Sequence, residues 1–404
     1  MIRHLLKLVW KRKRANALLT LEIFFSFIVL FVVMTFAALV IMRHRRPLGF
    51  DYHDVWVAGI AFPLHEPAQS AKGHERDWEM PYRAALGRML AELRSLPEVE
   101  SAAATASPAF IPGAWEASGD YNGMHYNFTR DSVSDDYAKV MQIRLLRGRW
   151  FGPQDEGAAE PAVVIDTEAA SQLPGRVDVG QFFQYNDEKR FRIIGIVAPF
   201  RKSGEFSRDR VSMAFDRVSL QRPVGLLPQF IVMRVRPGVQ AAFEETLTRR
   251  LHAIAPDYTV RLVHMESMRT RLNQSFLSPL ITGSIVAVFL IIMVFLGLSG
   301  VLWQNVTRRT REIGLRRALG ATGSAVNGQI LIEVALLSTL ALIVGVILVA
   351  QLPILGAFNV VTPAAYGIGL GGALATIYAL TLLCGLYPSW LASRVQPAAA
   401  LHYE

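Results

Sequence analysis

The sequence predicts a membrane α-helical protein with four transmembrane helices and a large α+β extracytoplasmic (periplasmic) domain inserted between helices 1 and 2. Three observations lead to this prediction. Four apolar stretches are each long enough to cross a bilayer, which takes about 20 helical residues. The residues between the first and second stretch alternate helix-like and strand-like patterns. Finally, Lys and Arg flank the apolar stretches on the side that the positive-inside rule assigns to the cytoplasm.

Composition supports this division into membrane and non-membrane parts. A length of 404 residues allows two or three domains, and 52% apolar residues is too few for a chain embedded in lipid throughout. The net charge of +9 would also suit a nucleic-acid-binding protein. Much of the positive charge, however, lies beside apolar stretches, which favours the membrane interpretation. The single cysteine, Cys384, excludes an internal disulfide.

Residues 1–16 are predicted to form a cytoplasmic amphipathic segment on the inner leaflet, because Ile2, Leu5 and Val9 share one helical face. A continuous basic extension of the first span is the alternative. The first transmembrane helix is placed at 17–42. This apolar run is too long for the core of a cleaved signal peptide, so we expect a membrane anchor.

Residues 43–275 are predicted to form the extracytoplasmic (periplasmic) domain. Helical spacing and strand-like runs alternate along it, which indicates a compact α+β domain of two subdomains, the inserted one at about 125–220. We expect a helical stalk at 265–273. The other predicted elements are helices at 81–96 and 241–254 and strands at 162–166, 191–197, 230–235 and 258–262.

The remaining chain is predicted to cross the membrane three more times. Pro388 is expected to stop the last helix. Basic residues cluster before the first span and between the second and third, so both termini are assigned to the cytoplasm. The predicted segments are transmembrane helix 2 at 276–303, a cytoplasmic coupling segment at 304–328, helix 3 at 329–352, a short periplasmic loop at 353–363, helix 4 at 364–386 and a cytoplasmic tail at 387–404.

Three polar residues fall inside or at the head of predicted spans: Glu22, Gln329 and Glu333. Ionisable groups in a membrane are costly and often functional. Both glutamates lie near the cytoplasmic ends of their helices, where headgroups and neighbouring helices can satisfy them. We therefore favour packing or an interhelical hydrogen bond over a proton relay. Six small residues of the predicted spans are expected to let helices approach closely: Gly297, Gly300, Gly345, Gly367, Gly371 and Gly372.

The segment T-R-E-I-G-L-R-R-A-L-G-A at 310–321 closely resembles the cytoplasmic signature of the MacB/FtsX-type permeases, the type VII or mechanotransmission family of ABC transporters. Gln329 and Glu333 follow at the spacing these permeases show. The tail Y-P-S-W-L-A-S-R at 387–394 also resembles theirs, and the blocks at 135–137, 148–151, 163–166 and 193–197 resemble their periplasmic core domain. The resemblance covers nearly the whole chain.

This resemblance implies that the segment docks on a cytoplasmic ATPase. Glu312 lies four residues from both Arg308 and Arg316, Gly320 suits a helix end, and Thr322 is a candidate cap for the next helix. The alternative is that these arginines only set the topology. The residues assigned to the coupling role are Thr310, Arg311, Glu312, Ile313, Gly314, Arg316, Arg317, Ala318, Gly320 and Ala321.

The sequence contains no G-x-x-x-x-G-K-[ST] motif, so we expect no catalytic residue, no metal and no cofactor on this chain, with ATP and Mg²⁺ held by a separate ATPase. The resemblance implies an inner-membrane permease that pairs with a second protomer, identical or paralogous. It also implies export of an antibiotic, peptide or other periplasmic compound through an adaptor and an outer-membrane channel.

Other functions remain open from the sequence. The same motion in an FtsX-like transducer would regulate a cell-envelope enzyme without transport, and a lipoprotein-release permease shares the topology. The size of the periplasmic domain is closer to that of MacB and favours export. A membrane-anchored enzyme is disfavoured, because neither H-E-x-x-H nor G-x-S-x-G occurs in the sequence.

Overall fold

The computed structural model describes residues 13–61, 78–111, 116–121, 124–173, 175, 177–185, 189–206, 212–222, 226–239, 242–308, 322–356 and 361–393. The chain divides into two compact units. The helical unit comprises the residues up to Arg45 and from Leu277 onwards, and the large domain comprises Arg46–Phe276. The predicted amphipathic segment lies mostly outside the described residues, as does the tail beyond Ser393.

The described α-helices are numbered in chain order. They are α1 Lys13–His44, α2 Glu79–Ser95, α3 Tyr137–Val140, α4 Thr167–Gln172, α5 Ala242–Ile254, α6 Met265–Arg308, α7 Gly323–Gln351 and α8 Pro363–Ser393. Four of them are long and apolar enough to cross a membrane, which confirms the four predicted spans. The candidate spans are Ala17–His44, Met265–Gln304, Leu331–Gln351 and Pro363–Leu386.

Two helices differ from their predicted bounds. The expected stalk at 265–273 and the second span form one unbroken helix, α6. The prediction that Pro388 ends the fourth helix is wrong, because α8 continues to Ser393. A proline inside a helix removes one backbone hydrogen bond, but membrane helices tolerate this when neighbouring groups satisfy the freed carbonyl.

The core of the helical unit is built around one stripe of α1. Ile23, Phe27 and Phe31 recur at the spacing of one helical turn and are fully buried. The ring of Phe31 meets the ring of Tyr366 on α8 edge to face, with centroids 5.1 Å apart. Apolar side chains of α6, α7 and α8 complete this cluster, so all four spans contribute to one core.

The large domain contains one mixed β-sheet. Its strand order is β11-β1-β10-β2-β4-β3-β7-β8-β6-β9, with β5 paired to β8 and β4 also paired to β9. The strands are β1 Val55–Ala61, β2 Val99–Thr105, β3 Glu116–Tyr121, β4 Met124–Val133, β5 Leu145–Gly148, β6 Ala162–Asp166, β7 Phe182–Tyr185, β8 Lys189–Val197, β9 Met213–Arg217, β10 Phe230–Val235 and β11 Thr259–His264. The predicted strands at 162–166, 191–197, 230–235 and 258–262 are among them.

The first half of this sheet, β11-β1-β10-β2, is covered by α2 and α5. The predicted apolar face of α2 is buried, as Leu86, Leu90 and Leu93 illustrate. Beneath it, β2 carries consecutive buried alanines, including Ala102 and Ala104, whose small side chains let the helix lie close to the strand. Alanine has low strand propensity, which explains why the sequence did not reveal β2.

The second half of the sheet comprises β3 to β9. The division of the large domain into two subdomains, the inserted one at about 125–220, stays a prediction. The ladder between β2 and β4 consists of one residue pair, Thr105 and Val133. A single apolar cluster, which includes Val57, Val133 and Phe215, nevertheless contains residues of both halves. The two halves therefore share a core.

Asp166 ends β6 and caps α4 from a fully buried position. Its Oδ1 accepts hydrogen bonds from the backbone N–H groups of Ala169 (2.8 Å) and Met213 (3.1 Å), and its Oδ2 accepts one from that of Phe200 (3.3 Å). Burial raises the pKa of Asp166 to about 7 from its ordinary 3.8, although these hydrogen bonds lower it. The folded chain therefore binds this proton more tightly than the unfolded chain does.

It follows that the stability linked to this proton is complete below the unfolded pKa of 3.8 and is lost as pH rises through about 7. In the Asp166→Asn variant, the amide oxygen still accepts from Ala169, and the titration is gone. We expect the free energy of unfolding to fall less steeply between pH 3.8 and about 7 in this variant than in the parent. Urea denaturation of the full chain in detergent measures both slopes, and equal slopes would contradict the assignment.

Candidate functional site

The predicted ATPase-coupling residues, Thr310 to Ala321, lie outside the described residues. The helices on either side are described: α6 ends at Arg308 and α7 begins at Gly323. Thr322 therefore directly precedes α7, which is the position of a helix cap. Its capping role stays a prediction, as do the assigned roles of the coupling residues.

Glu22 lies where α1 meets α6. A Cβ atom built on Gly297 would be 2.8 Å from Glu22 Oε2 and 3.4 Å from Oε1. The carboxylate therefore packs against α6 at the position of this glycine. A larger residue at position 297 would displace the carboxylate or the helix. This contact favours the packing role for Glu22, and the sequence had already marked Gly297 as a site of close approach.

The other two intramembrane polar residues lie on α7. Glu333 is half-buried in the helix, whereas the side chain of Gln329 is outside the described residues. Nearby, two hydrogen bonds that the sequence did not reveal link α7 to α8. The hydroxyls of Ser338 and Thr381 are 2.9 Å apart, and those of Thr339 and Tyr378 are 3.0 Å apart. Such bonds stabilise helix association in lipid modestly.

Glycines of α7 and α8 bring these helices close to α1. A Cβ on Gly345 would lie 2.8 Å from Phe27 Cε1, and one on Gly372 would lie 2.8 Å from Met34 Sδ. Both glycines were predicted to allow close approach. For three other glycines of that predicted set, a Cβ would meet no atom within 4 Å in the described part of the chain: Gly300, Gly367 and Gly371.

The tightest helix contact of α8 involves a glycine that the sequence reading missed. Gly369 lies against Thr35 of α1, and an added Cβ would be 2.6 Å from the Thr35 Cα atom. Ala365 and Ala373, one turn to either side, are fully buried. This small-xxx-small pattern was the available signal.

In the large domain, Arg234 of β10 joins three segments from a buried position. Its guanidinium donates to the carbonyl oxygens of Val140, His53 and Asp51, each at 2.9 Å. Burial raises the pKa of Asp51, but hydrogen bonds from His53 and the charge of Arg234 outweigh that effect and lower it. The segment that follows α1 is thereby fixed to β10 and to α3.

A buried ion pair lies where the two halves of the sheet meet. Asp131 and Lys202 are 0% and 2% exposed, and Lys202 Nζ is 3.0 Å from Asp131 Oδ2. Thr105, the residue of the single β2–β4 pair, donates its hydroxyl to the same carboxylate at 3.0 Å, and the Ser107 amide donates at 3.2 Å. Burial raises the pKa of Asp131, and Lys202 counteracts part of that rise.

Two family profiles match successive parts of the chain. The profile of the MacB-like periplasmic core domain matches residues 27–250, more than half of the chain. The profile of the FtsX-like permease C-terminal region matches residues 284–397. The second match contains the segment 310–321, whose resemblance to this family was noted from the sequence.

Curated relatives agree with these profiles. The macrolide export ATP-binding/permease protein MacB of Agrobacterium fabrum is 29% identical over 288 residues, which cover 68% of this chain and 43% of that protein. The pyoverdine export ATP-binding/permease protein PvdT of Pseudomonas syringae pv. tomato is 28% identical over 280 residues, 66% of this chain and 42% of that protein. The matched part of the chain thus spans less than half the length of these relatives.

Among solved structures, the periplasmic region of MacB from Actinobacillus actinomycetemcomitans aligns with 57% of this chain and 98% of its own length, at 13% identity and a TM-score of 0.38. The profile matches carry the assignment, because the first alone covers more than half of the chain. The four membrane helices and the α+β periplasmic domain between the first two therefore belong to a permease of the MacB/FtsX-type ABC transporter family.

Proposed function

We propose that this chain couples ATP hydrolysis by a separate cytoplasmic ATPase to a change of shape in its periplasmic large domain. The observation that carries the proposal is α6, which runs unbroken from Met265 to Arg308. At 1.5 Å per residue this helix is about 66 Å long, more than the roughly 30 Å core of a bilayer requires. One helix thus begins among the residues of the large domain and ends at Arg308, next to the coupling segment.

The proposed topology places both termini and the coupling segment in the cytoplasm. The support is the distribution of Lys and Arg, which are concentrated before α1 and between α6 and α7 and are absent from residues 353–363. In this arrangement the coupling residues Arg311 and Glu312 face the compartment that contains ATP. The permease would act beside a second protomer, each with its own ATPase.

The proposed activity is export of an antibiotic, peptide or other periplasmic compound through an adaptor and an outer-membrane channel. The support comes from the relatives, whose names assign them export of pyoverdine and of macrolides. The match to the FtsX-like C-terminal region favours a second candidate, a transducer that regulates a cell-envelope enzyme. The proteins bound to the large domain distinguish the two functions.

Co-purification tests the coupling role. The parent chain is isolated from its native membrane in mild detergent, and the bound proteins are identified by mass spectrometry. We expect an ATPase with the parent and its loss when Arg311, Glu312, Ile313 and Gly314 are all replaced by alanine. In the proposed topology, the segment between α6 and α7 is the cytoplasmic loop that joins two spans, so we expect its side chains to contact the ATPase.

The matched control replaces Glu245 and Arg249 with alanine. These residues form an ion pair on α5 and are 81% and 75% exposed, so their loss removes surface charge without touching the coupling segment. The control should retain the ATPase. If no ATPase co-purifies with the parent, or if the quadruple variant co-purifies with as much ATPase as the parent does, the proposed coupling is wrong.

A further inference from the structure

Near the start of α6, Arg269 binds Glu205, which lies in the segment 200–206, called the Glu205 loop below. Arg269 Nε donates a hydrogen bond of 2.7 Å to Glu205 Oε1, and Arg269 Nη2 donates to the same oxygen. The Glu205 side chain is only 4% exposed. Charge-assisted bonds of this kind are stronger than neutral ones, and burial protects them from screening.

The same guanidinium also contacts the segment that follows α1. Its central carbon lies 4.7 Å from the centre of the Tyr52 ring, within the range of a cation–π interaction. Tyr52 in turn meets the ring of Phe110 edge to face at 5.7 Å. Arg269 therefore touches both the Glu205 loop and the Tyr52 segment.

The Glu205 loop is itself bound to the segment after α1. The Arg201 amide donates to the carbonyl of Leu48 at 2.9 Å, and Arg201 Nη2 donates to the carbonyl of Glu205 at 2.8 Å. The ring of Phe50 lies 4.6 Å from that of Phe200. The entry of the chain into the large domain, its exit into α6, and residues 200–206 thus meet at one place.

Holding these segments together with a buried ion pair costs desolvation free energy. Removing a carboxylate from water costs several kcal/mol, and a well-packed apolar pair is often as stable as a buried ion pair. Glu205 Oε2 is buried and accepts no hydrogen bond within the described chain, which adds to that cost. What the ion pair adds over apolar packing is direction, because two N–H groups of Arg269 donate to one oxygen of Glu205 and fix the position of one segment against another.

We propose that Arg269, Glu205 and Tyr52 form a clamp that makes the start of α6, the Glu205 loop and the segment after α1 move as one body. The inference rests on the proposed coupling function and names residues through which displacement of α6 enters the large domain. Arg269 is a positioning residue in this scheme. A purely stabilising role is the competing explanation, and the experiment below separates the two.

The test measures distances within the full chain in nanodiscs, in a Cys384→Ala background. Spin labels are placed at two exposed positions, Ser267 on α6 and Arg88 on α2, by substitution with cysteine. Double electron–electron resonance should give one narrow distance distribution in the parent. We expect Arg269→Ala to broaden it at least twofold. Arg271→Ala, which removes an exposed arginine from the same helix, should leave it unchanged.

A double variant, Glu205→Gln with Arg269→Met, removes both charges and retains side-chain volume. We expect its thermal stability to return close to that of the parent, since no unpaired buried charge remains. The clamp proposal requires the distance distribution to stay broad even so. Recovery of the narrow distribution in the double variant would overturn the proposal, because packing alone would then hold the segments, and so would an unchanged distribution in Arg269→Ala.

Adding ATP to the complex with the co-purified ATPase provides a second readout. In Arg269→Ala the ATP-dependent shift of the Ser267–Arg88 distance should differ from that of the parent, with ATP hydrolysis unchanged, because the start of α6 is no longer held to the Glu205 loop. The same shift in both proteins would overturn the clamp. If no ATPase co-purifies, the proposed function fails, and the nucleotide-free distances still decide the clamp.

Discussion

Lys202→Met is expected to destabilise the large domain by about 3–5 kcal/mol, the usual cost of leaving a buried charge without its partner. Asp131 is 0% exposed, and Lys202 Nζ is 3.0 Å from its Oδ2. Without the lysine, the carboxylate retains the Thr105 hydroxyl and the Ser107 amide but loses its counter-charge. Urea denaturation of the full chain in detergent, followed by tryptophan fluorescence, measures the loss.

The double variant Asp131→Asn with Lys202→Met is the informative comparison. Asparagine keeps an oxygen for the Thr105 hydroxyl and removes the buried charge, so most of the lost stability should return. Replacing Arg249 with methionine is the surface control, because its ion pair with Glu245 is exposed and contributes little. A loss below about 1 kcal/mol in Lys202→Met would mean that the carboxylate is stabilised by other groups.

Gly369→Ala is expected to destabilise the helical unit by about 1–3 kcal/mol or more, the range for overpacking a tight contact. The added methyl group would lie 2.6 Å from the Thr35 Cα atom, so the backbones of α8 and α1 must separate. No rotamer change relieves a contact with a Cα atom. The loss is measured as a lower midpoint of thermal unfolding in detergent.

Gly371→Ala is the matched control, two residues away on the same helix. A Cβ there meets no atom within 4 Å in the described part of the chain. Alanine also favours a helix interior over glycine by about 0.5–1 kcal/mol, so this variant should be neutral or slightly more stable. Equal loss in the two variants would show that general helix effects, and not the Thr35 contact, set the stability.

The four spans and the two longer helices of the large domain, α2 and α5, followed directly from the sequence. A stretch of about 20 apolar residues has few alternatives to a membrane helix, because lipid leaves no other way to satisfy the backbone. The buried face of α2, with Leu86 and Leu90, could be predicted for a similar reason. Its apolar residues repeat every 3.6 residues, and this repeat is visible within a short stretch of sequence. The family signature at 310–321 is also local, which is why the sequence alone pointed to it.

Features that depend on contacts between residues far apart in the chain could not be predicted from the sequence. The alanine-rich β2 is a strand because β10 pairs with it and α2 covers it, although its own propensity is low. A side chain at position 369 is expected to be costly because Thr35 lies opposite. Whether a glycine faces a helix or open space, as Gly369 and Gly371 do respectively, is decided by the packing partner.

The sequence by itself thus determined the four membrane spans, the α+β character of the large domain and the family. The tertiary structure alone decided the charge pairs: Asp131 with Lys202, Glu205 with Arg269, and the Arg234 bonds to the segment after α1. Each pair joins residues far apart in the chain, and a charged residue gives no sequence sign of its partner. The pairing is a consequence of burial, because a charged side chain that is removed from water needs a neighbouring group of opposite charge or a hydrogen-bond partner, and the fold determines which group that is.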